Sequence, residues 1–216
     1  MLMVGVLVNS KSLEGGTSSR YPLIEKVKTI FPDNENCMNL VHFNNNRGPG
    51  NLLSQLNLIT DIAGGHFDGF QLNITWPSVK TLEIYKKAYN KTIVLQINND
   101  AFNAVSNSPK KLAEKIHDEY NGIVDHFLLD ASGGTGKLFN SEIIRSYLEV
   151  LSSKTHTYGL GVAGGLSPST LHLLEPLVKD FPEINIDAEG RLRDNDDNLD
   201  IEITGRYLEK SLELFS

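Results

Sequence analysis

Short apolar runs alternate with longer stretches of helical periodicity along the whole chain. The apolar runs are rich in Val, Ile, Leu and Phe and end in turn residues, which is typical of buried strands. Seven strands are predicted, at Met3–Asn9, Cys37–Asn44, Phe70–Ile74, Ile93–Asn98, Val124–Asp130, Tyr158–Ala163 and Ile184–Asp187. Apolar residues three or four apart predict helices at Pro22–Phe31, Leu52–Ile62, Val79–Tyr89, Pro109–Tyr120, Ser141–Leu151 and Ile201–Phe215.

Two helix starts carry recognisable end signals. Asn140 is predicted to cap the helix that begins at Ser141. A further helix is expected to begin near Ser167, with Ser167 as its N-cap and Pro168 in its first turn. Strand and helix therefore alternate from end to end, and alternation of this kind predicts parallel strands joined by crossover helices.

Two architectures fit this alternation, a doubly wound sheet and a closed barrel. No linker rich in Pro, Gly or Ser marks a domain boundary, so we expect one domain over residues 1–216. The predicted fold class is α/β, a TIM-type (β/α) barrel, atypical in showing seven recognisable strands where such barrels usually have about eight. Seven strands leave two poorly closed edges. We therefore expect a loop or a partner chain, as in a homo-oligomer, to cover that gap.

Polar residues at the strand ends favour the barrel. Three successive strands end in the triplets His42-Phe43-Asn44, Gln71-Leu72-Asn73 and Gln96-Ile97-Asn98. Other strands end in Asn9, Asp130 and Asp187. Residues two apart share one face of a strand, and the carboxyl ends of barrel strands carry the functional site. Candidate substrate contacts are therefore Asn9, Asn44, Asn73, Asn98 and Asp187; the alternative is that some of these side chains only cap loops.

Composition narrows the classes of partner. The formal net charge is −7, which argues against nucleic acid and anionic membranes, since both are bound by clustered Lys and Arg. No apolar run approaches the roughly 18 residues of a membrane span, and the apolar start lacks the basic leader of a signal peptide. We expect a cytoplasmic protein. Cys37 is the only cysteine, which excludes an intrachain disulfide and a cysteine metal cluster.

Two glycine-rich stretches carry the candidate chemistry. Asp130 ends an apolar strand and is followed by Gly133-Gly134-Thr135-Gly136-Lys137. This is not a nucleotide P-loop, because Ala131 and Leu138 stand where that motif needs Gly and Ser or Thr. A glycine-rich loop does let the backbone approach an anion closely. The second turn, Gly164-Gly165, precedes a predicted helix and predicts a phosphate site together with Gly190 after the seventh strand.

These stretches resemble phosphoribosylanthranilate isomerase. The resemblance rests on Asp130 with GGTGK and Phe139, on Ala163-Gly164-Gly165-Leu166-Ser167-Pro168, and on the Gly190 loop. It is good from about Val124 to Gly190, and the weaker similarity before Val124 is collinear with it. It implies an eight-stranded (β/α) barrel and an Amadori rearrangement of a phosphorylated sugar amine in tryptophan biosynthesis, with no metal or cofactor. By the same resemblance Asp130 is the general acid that protonates the furanose ring oxygen. Gly164, Gly165 and Gly190 then hold the phosphate, Gly134 contacts substrate, and Arg20 meets the aromatic carboxylate.

One part of the family's pattern is missing. The family's general base is a cysteine on its first strand, within a Lys-Ile-Cys-Gly type stretch, and nothing at this N-terminus matches it. Met3–Tyr21 aligns better with the family's second strand and its arginine loop. The strand that is missing from the count of eight would then be the family's first strand, which is also the strand that carries the base. Cys37 lies at the start of its strand, the stability end of a barrel.

The identity of a base, and with it the activity, stays open. His42, Asp187 and Glu189 are alternative bases, although His42 also fits a pocket histidine and Asp187 a loop hydrogen bond. No His or acidic pair has metal-ligand spacing. Two hypotheses follow. One is an isomerase acting on this or another sugar phosphate. The other is a non-catalytic or regulatory protein that keeps the phosphosugar cleft.

Overall fold

The computed structural model describes residues 1–45, 51–130, 139–153 and 155–216. Its contacts divide the chain into two compact units. The first unit comprises Met1–Gln96 and Ile123–Asp125, and the second comprises Ile97–Gly122 and His126–Ser216.

The first unit contains parallel strands that follow one another in chain order. The strands are β1 (Leu2–Asn9), β2 (Cys37–Asn44), β3 (Gly69–Asn73) and β4 (Thr92–Ile97, of which all but Ile97 belongs to this unit). The helices of this unit are α1 (Val27–Ile30), α2 (Leu52–Ala63) and α3 (Val79–Tyr89). The pairs β1–β2, β2–β3 and β3–β4 are all parallel, as expected when a helix connects each strand to the next.

Aromatic rings form much of the core of this unit. The Phe67 ring centroid lies 6.3 Å from that of Phe31 and 5.0 Å from that of Phe70. The Phe70 ring in turn lies 5.5 Å from the Tyr85 ring. The close approach of β3 to β4 requires Gly69, because a Cβ atom there would lie 2.0 Å from the Thr92 carbonyl oxygen. Glycine is therefore required where these two backbones meet.

The second unit repeats the pattern with three strands. They are β5 (His126–Asp130), β6 (Gly159–Ala163) and β7 (Asn185–Asp187), paired in parallel and in chain order. Its helices are α4 (Asn99–Ala104), α5 (Pro109–Lys115), α6 (Ser141–Ser152), α7 (Glu175–Asp180) and α8 (Ile201–Leu214). A π-helical turn at Ile116–Tyr120 continues α5.

The described residues confirm the predicted seven parallel strands and their alternation with helices. Neighbouring strands follow chain order within each unit, whereas a doubly wound sheet reverses its strand order in the middle. The fold is therefore of the TIM-type α/β class. The bounds of β2 and α3 coincide with the prediction, and Asn140 does cap α6, since its Oδ1 accepts a hydrogen bond from the Ile143 amide at 3.1 Å.

Two helix predictions need correction, and one short helix was not predicted. No helix begins at Ser167: the chain first makes turns, then a 3-10 segment at Leu171–Leu174, and only then α7. The predicted helix Pro22–Phe31 is reduced to a 3-10 turn at Ile24–Lys26 followed by the single turn of α1. Helix α4 was not predicted, because its six residues are too few for a helical period to show.

Across the described ranges of the chain, none of the helices has the length and apolar character needed to cross a membrane.

Candidate functional site

The carboxyl ends of the three strands in the second unit bring two carboxylates and a glycine turn into one row. Asp130 of β5 pairs with Ala163 of β6, and Ala163 pairs with Asp187 of β7. Adjacent strands lie about 4.8 Å apart, so the two aspartates stand roughly 10 Å apart in backbone position, on either side of the chain that continues into Gly164. Asp130 is 8% exposed. The pairing of β5 with β6 therefore places Asp130 beside the glycine turn.

The turn after β6 presents backbone donors. Gly164 and Gly165 have φ angles of 107° and 69°, a region that glycine enters without a steric penalty. Among the described residues neither of their amides donates a hydrogen bond. Successive amides of a turn that lack partners are the kind of donors that bind an anion.

The residues after this turn are engaged locally. The Ser167 amide donates to the Thr170 hydroxyl at 2.8 Å, and that hydroxyl donates to the Gly165 carbonyl at 3.0 Å. Because these bonds form and no helix starts at Ser167, the expected contribution of a helix dipole to phosphate binding is not available here. The turn amides of Gly164 and Gly165 are the remaining donors.

The loop after β7 carries Gly190, which begins a 3-10 turn, Gly190–Leu192. A Cβ atom built on Gly190 would meet no atom within 4 Å, so the space around it is open. The turns holding Gly164-Gly165 and Gly190 thus leave the same end of two paired strands. That position agrees with the predicted phosphate site, and phosphate binding itself stays a prediction.

Tyr207 of α8 is a polar residue of this region that the sequence reasoning missed. It is 5% exposed, and its hydroxyl has no hydrogen-bond partner among the described residues, since the Ser211 hydroxyl donates to the Tyr207 carbonyl instead. Burial raises the pKa of Tyr207, and the charge of Asp187 raises that pKa further. The phenol therefore stays protonated at neutral pH, and it lies near enough to Asp187 for the charge of that carboxylate to affect its pKa. A tyrosine at helical spacing in an amphipathic helix gives no sequence signal beyond burial.

One predicted contact lies beyond the described ranges. Gly134 and the rest of the GGTGK stretch fall in residues 131–138, which are outside the described residues. Phe139, which follows this stretch, is described and buried.

The first unit aligns three predicted asparagines at the carboxyl ends of its strands. Asn9 pairs with Asn44 between β1 and β2, and Asn44 pairs with Asn73 between β2 and β3. Arg20 lies in the loop that follows β1 and is partly buried. The register thus groups Asn9, Asn44 and Asn73 as predicted, and their contact with a ligand stays a prediction.

Two of the predicted asparagines also hold their own loops. The Asn9 Oδ1 atom accepts hydrogen bonds from the Ser12 amide at 2.9 Å and from the Ser12 hydroxyl at 3.2 Å. Asn98 lies just beyond β4, where its Oδ1 caps α4 by accepting from the Ala101 amide at 3.0 Å. Asn9 and Asn98 therefore do cap loops, which is the alternative role that the sequence left open for them.

The three polar triplets are not all in register. His42 pairs with Gln71, but Gln71 pairs with Val94, two residues before Gln96. The side chains bridge that offset, because the Gln71 Nε2 atom donates to the Gln96 Oε1 atom at 3.3 Å, and both side chains are buried. The first two triplets thus end level with each other, while the third extends further along its strand.

Trp76 was also missed, although it is the only tryptophan of the chain. It follows β3 by three residues, is partly buried, and has a φ angle of 45° immediately before Pro77. Non-glycine residues in this region cost energy and cluster at functional sites. Trp76 therefore marks a strained backbone position three residues after the end of β3.

The described residues were also compared with the ligand arrangement of a metal site. Within the described ranges no group of three His, Cys, Asp or Glu residues is arranged to hold a metal ion. Cys37 is partly exposed and begins β2, at the end opposite to Asn44, as the sequence predicted.

Comparison with known proteins agrees with this geometry at the level of the fold. Neither a family model nor a curated protein sequence matches the chain. Among solved structures, the N-(5'-phosphoribosyl)anthranilate isomerase of Pyrococcus furiosus aligns with a TM-score of 0.64 and 16% identity over 98% of this chain and 88% of its own. The phosphoribosyl anthranilate isomerase of Thermococcus kodakaraensis aligns with a TM-score of 0.62 and 15% identity over 96% of this chain and 86% of its own.

A third structure comes from Thermotoga maritima and is described as monomers generated from a dimeric phosphoribosylanthranilate isomerase. It aligns with a TM-score of 0.60 and 15% identity over 98% of this chain and 87% of its own. At these identities the likeness establishes the fold. The chain has a phosphoribosylanthranilate isomerase-like (β/α) barrel fold.

Proposed function

We propose that this protein binds a phosphorylated sugar at the carboxyl ends of β5, β6 and β7, and that Asp130 acts there as a general acid in an isomerisation of the phosphoribosylanthranilate type. The observation that carries the proposal is the Gly164-Gly165 turn, whose amides donate no hydrogen bond among the described residues and which lies one strand from Asp130. Backbone amides without partners favour an anion such as phosphate, and the neighbouring carboxyl group favours proton transfer to the sugar.

Each group has a defined task in this proposal. The turn amides and the open Gly190 loop hold the phosphate, which fixes the sugar relative to Asp130. Asp130 then donates a proton to the ring oxygen while the bond from that oxygen to the anomeric carbon breaks. A base must next remove a proton from the adjacent carbon. Asp187, two strands from Asp130 in the paired row, is a candidate for that base on position.

A non-catalytic binding protein is the second candidate function. It is favoured by the place of Cys37, which begins β2 instead of ending a strand. In this reading the phosphosugar is held as proposed, but no proton is removed from carbon.

Turnover is tested by incubating the protein with phosphoribosylanthranilate and following the loss of its fluorescence. If the chain is an isomerase, Asp130→Asn should lower kcat by about a hundredfold or more, since that is the usual contribution of a general acid. Unchanged turnover in Asp130→Asn would refute the role of Asp130. Absence of turnover together with binding of ribose 5-phosphate would favour the binding protein.

The phosphate seat is tested by calorimetric titration with ribose 5-phosphate. Gly165→Asp should weaken binding strongly, because a carboxylate at the seat repels the phosphate at short range. Gly165→Asn is the matched control, since both side chains tolerate a positive φ but only one is charged. Equal affinities of these two variants for ribose 5-phosphate would show that the phosphate does not bind next to Gly165.

A further inference from the structure

A cavity outside the row of strand ends lies against one face of α8 in the second unit. Its volume is about 490 Å³, within the range of roughly 300–1,000 Å³ that is usual for small-molecule sites. Ile203, Arg206 and Lys210 line it from α8, and their spacing of three and four residues puts them on one helical face. Arg191 lines it from the loop after β7. We call this cavity the α8 cleft.

The charge of the α8 cleft is opposite to that of the whole protein. The chain carries a formal charge of −7, yet the lining residues include the three basic side chains of Arg191, Arg206 and Lys210 and no acidic one. Such a concentration of one sign in a concave surface raises the local concentration of ions of the opposite sign.

The cations on α8 are not neutralised by acids of their own helix. Glu202 and Glu209 lie four residues before and three residues after Arg206, at spacings that allow ion pairs. Among the described residues Arg206 forms an ion pair with neither. The Lys210 ammonium donates to the Pro168 carbonyl at 3.0 Å, which positions it at the wall of the cleft without cancelling its charge.

The opposite wall of the cleft supplies hydroxyl and apolar groups. Ser167 and Ser169 face the cleft, and their hydroxyl oxygens are 3.0 Å apart. Pro168 lies between them, and Ile203 is the apolar residue contributed by α8. Basic side chains and hydroxyls next to apolar surface suit an anionic group attached to an apolar body.

We propose that the α8 cleft is a second anion site, which binds a small organic phosphate with its phosphate on Arg206, Lys210 and Arg191 and its apolar body on Pro168 and Ile203. Guanidinium groups match phosphate geometry with paired hydrogen bonds, and such charge-assisted bonds are roughly twice as strong as neutral ones. The side chains of α8 bind here, whereas the proposed phosphosugar seat uses the backbone of the Gly164-Gly165 turn.

The two sites share one wall. The hydroxyl of Thr170 donates to the Gly165 carbonyl and accepts from the Ser167 amide, so the loop that ends at the cleft begins at the glycine turn. A ligand in the cleft that moves Ser167 therefore acts directly on the turn. We expect occupancy of the cleft to change the affinity of the turn for a phosphosugar, and by linkage the reverse.

The test uses the full chain labelled with 15N and titrated with phenyl phosphate while amide resonances are followed by NMR. Wild type should show shifts at Ile203 and Lys210. Arg206→Gln combined with Lys210→Gln should weaken this event at least about tenfold, since charge-assisted bonds are lost. Lys80→Gln combined with Lys87→Gln removes the same charge from exposed positions of α3 and should leave it unchanged. Circular dichroism checks that all variants are folded.

The outcomes separate this site from the proposed phosphosugar seat. Shifts at α8 that survive Gly165→Asp but disappear in the Arg206/Lys210 variant support the cleft. Shifts that disappear only in Gly165→Asp overturn the cleft and leave the seat standing. Equal weakening by the α3 control variant shows a general charge effect and also overturns the cleft, as does the absence of any shift at α8 in wild type.

Discussion

Replacing Asp125 by alanine tests how the first unit is held at the start of β4. The Asp125 carboxylate accepts hydrogen bonds from the Lys86 ammonium at 2.6 and 2.8 Å and from the Ile93 amide at 2.7 Å. The Asp125 amide in turn donates to the Ile93 carbonyl at 2.9 Å. Alanine removes the three bonds to the carboxylate and leaves the backbone bond in place.

The expected cost follows from the burial of each partner. Ile93 is fully buried, so its amide loses a charge-assisted bond worth about 1.5–3 kcal/mol. The Lys86 and Asp125 side chains are 21% and 37% exposed, so their ion pair contributes about 0.5–1 kcal/mol. Lys86 keeps its bond to the Lys91 carbonyl at 3.1 Å. Asp125→Ala should therefore lower the free energy of unfolding by about 2–4 kcal/mol.

Urea unfolding followed by circular dichroism measures this change. With a slope of about 1–3 kcal/mol per molar urea, the midpoint should fall by roughly 1 M or more. Asp125→Asn keeps an acceptor for the Ile93 amide and should cost only about 1 kcal/mol. A double-mutant cycle with Lys86→Met isolates the ion pair. A loss below about 0.5 kcal/mol in Asp125→Ala, which is the range of neutral surface changes, would refute the reasoning.

Two further changes test other parts of the fold. Burial raises the pKa of Tyr85 to about 12, against a smaller lowering by its bond to Thr60. The raised pKa contributes to the free energy of unfolding in full below pH 10, and this contribution is lost as the pH rises from about 10 to 12. Between these pH values the free energy of unfolding, measured by urea titration, should therefore fall by about 3 kcal/mol less in Tyr85→Phe than in wild type. Identical pH profiles would contradict this. Asn140→Ala removes the cap of α6 and should cost about 1 kcal/mol, whereas Asn140→Ser should recover most of it; equal midpoints for the two variants would contradict the capping role.

Most strands and long helices of this protein follow from local pattern. Strand β2 and helix α3 have the predicted bounds, because β2 is one short buried apolar run and the buried residues of α3 recur at helical spacing. The cap at Asn140 was predictable for the same reason, since its bond reaches only three residues ahead. Such signals depend on neighbours in the chain, and a single sequence contains them in full.

The helix expected at Ser167 shows where local signals compete. Ser167 and Pro168 form a good helix start by residue type, but the Thr170 hydroxyl joins the Ser167 amide to the Gly165 carbonyl. These bonds satisfy the backbone in a turn and delay the helix until Glu175. The outcome depends on which of two local hydrogen-bond patterns is completed, and the sequence contains the residues for both.

By itself, then, the sequence determined the alternation of seven strands with helices and the positions of Asp130 and Gly164-Gly165 at strand ends. Tertiary structure decided which of these ends stand side by side, because strand register is set by pairing between segments far apart in the chain. It placed Asp130 one strand from the glycine turn. It also assembled Arg191, Arg206 and Lys210 around one cleft, since residues of a loop and of a helix meet only when the chain folds.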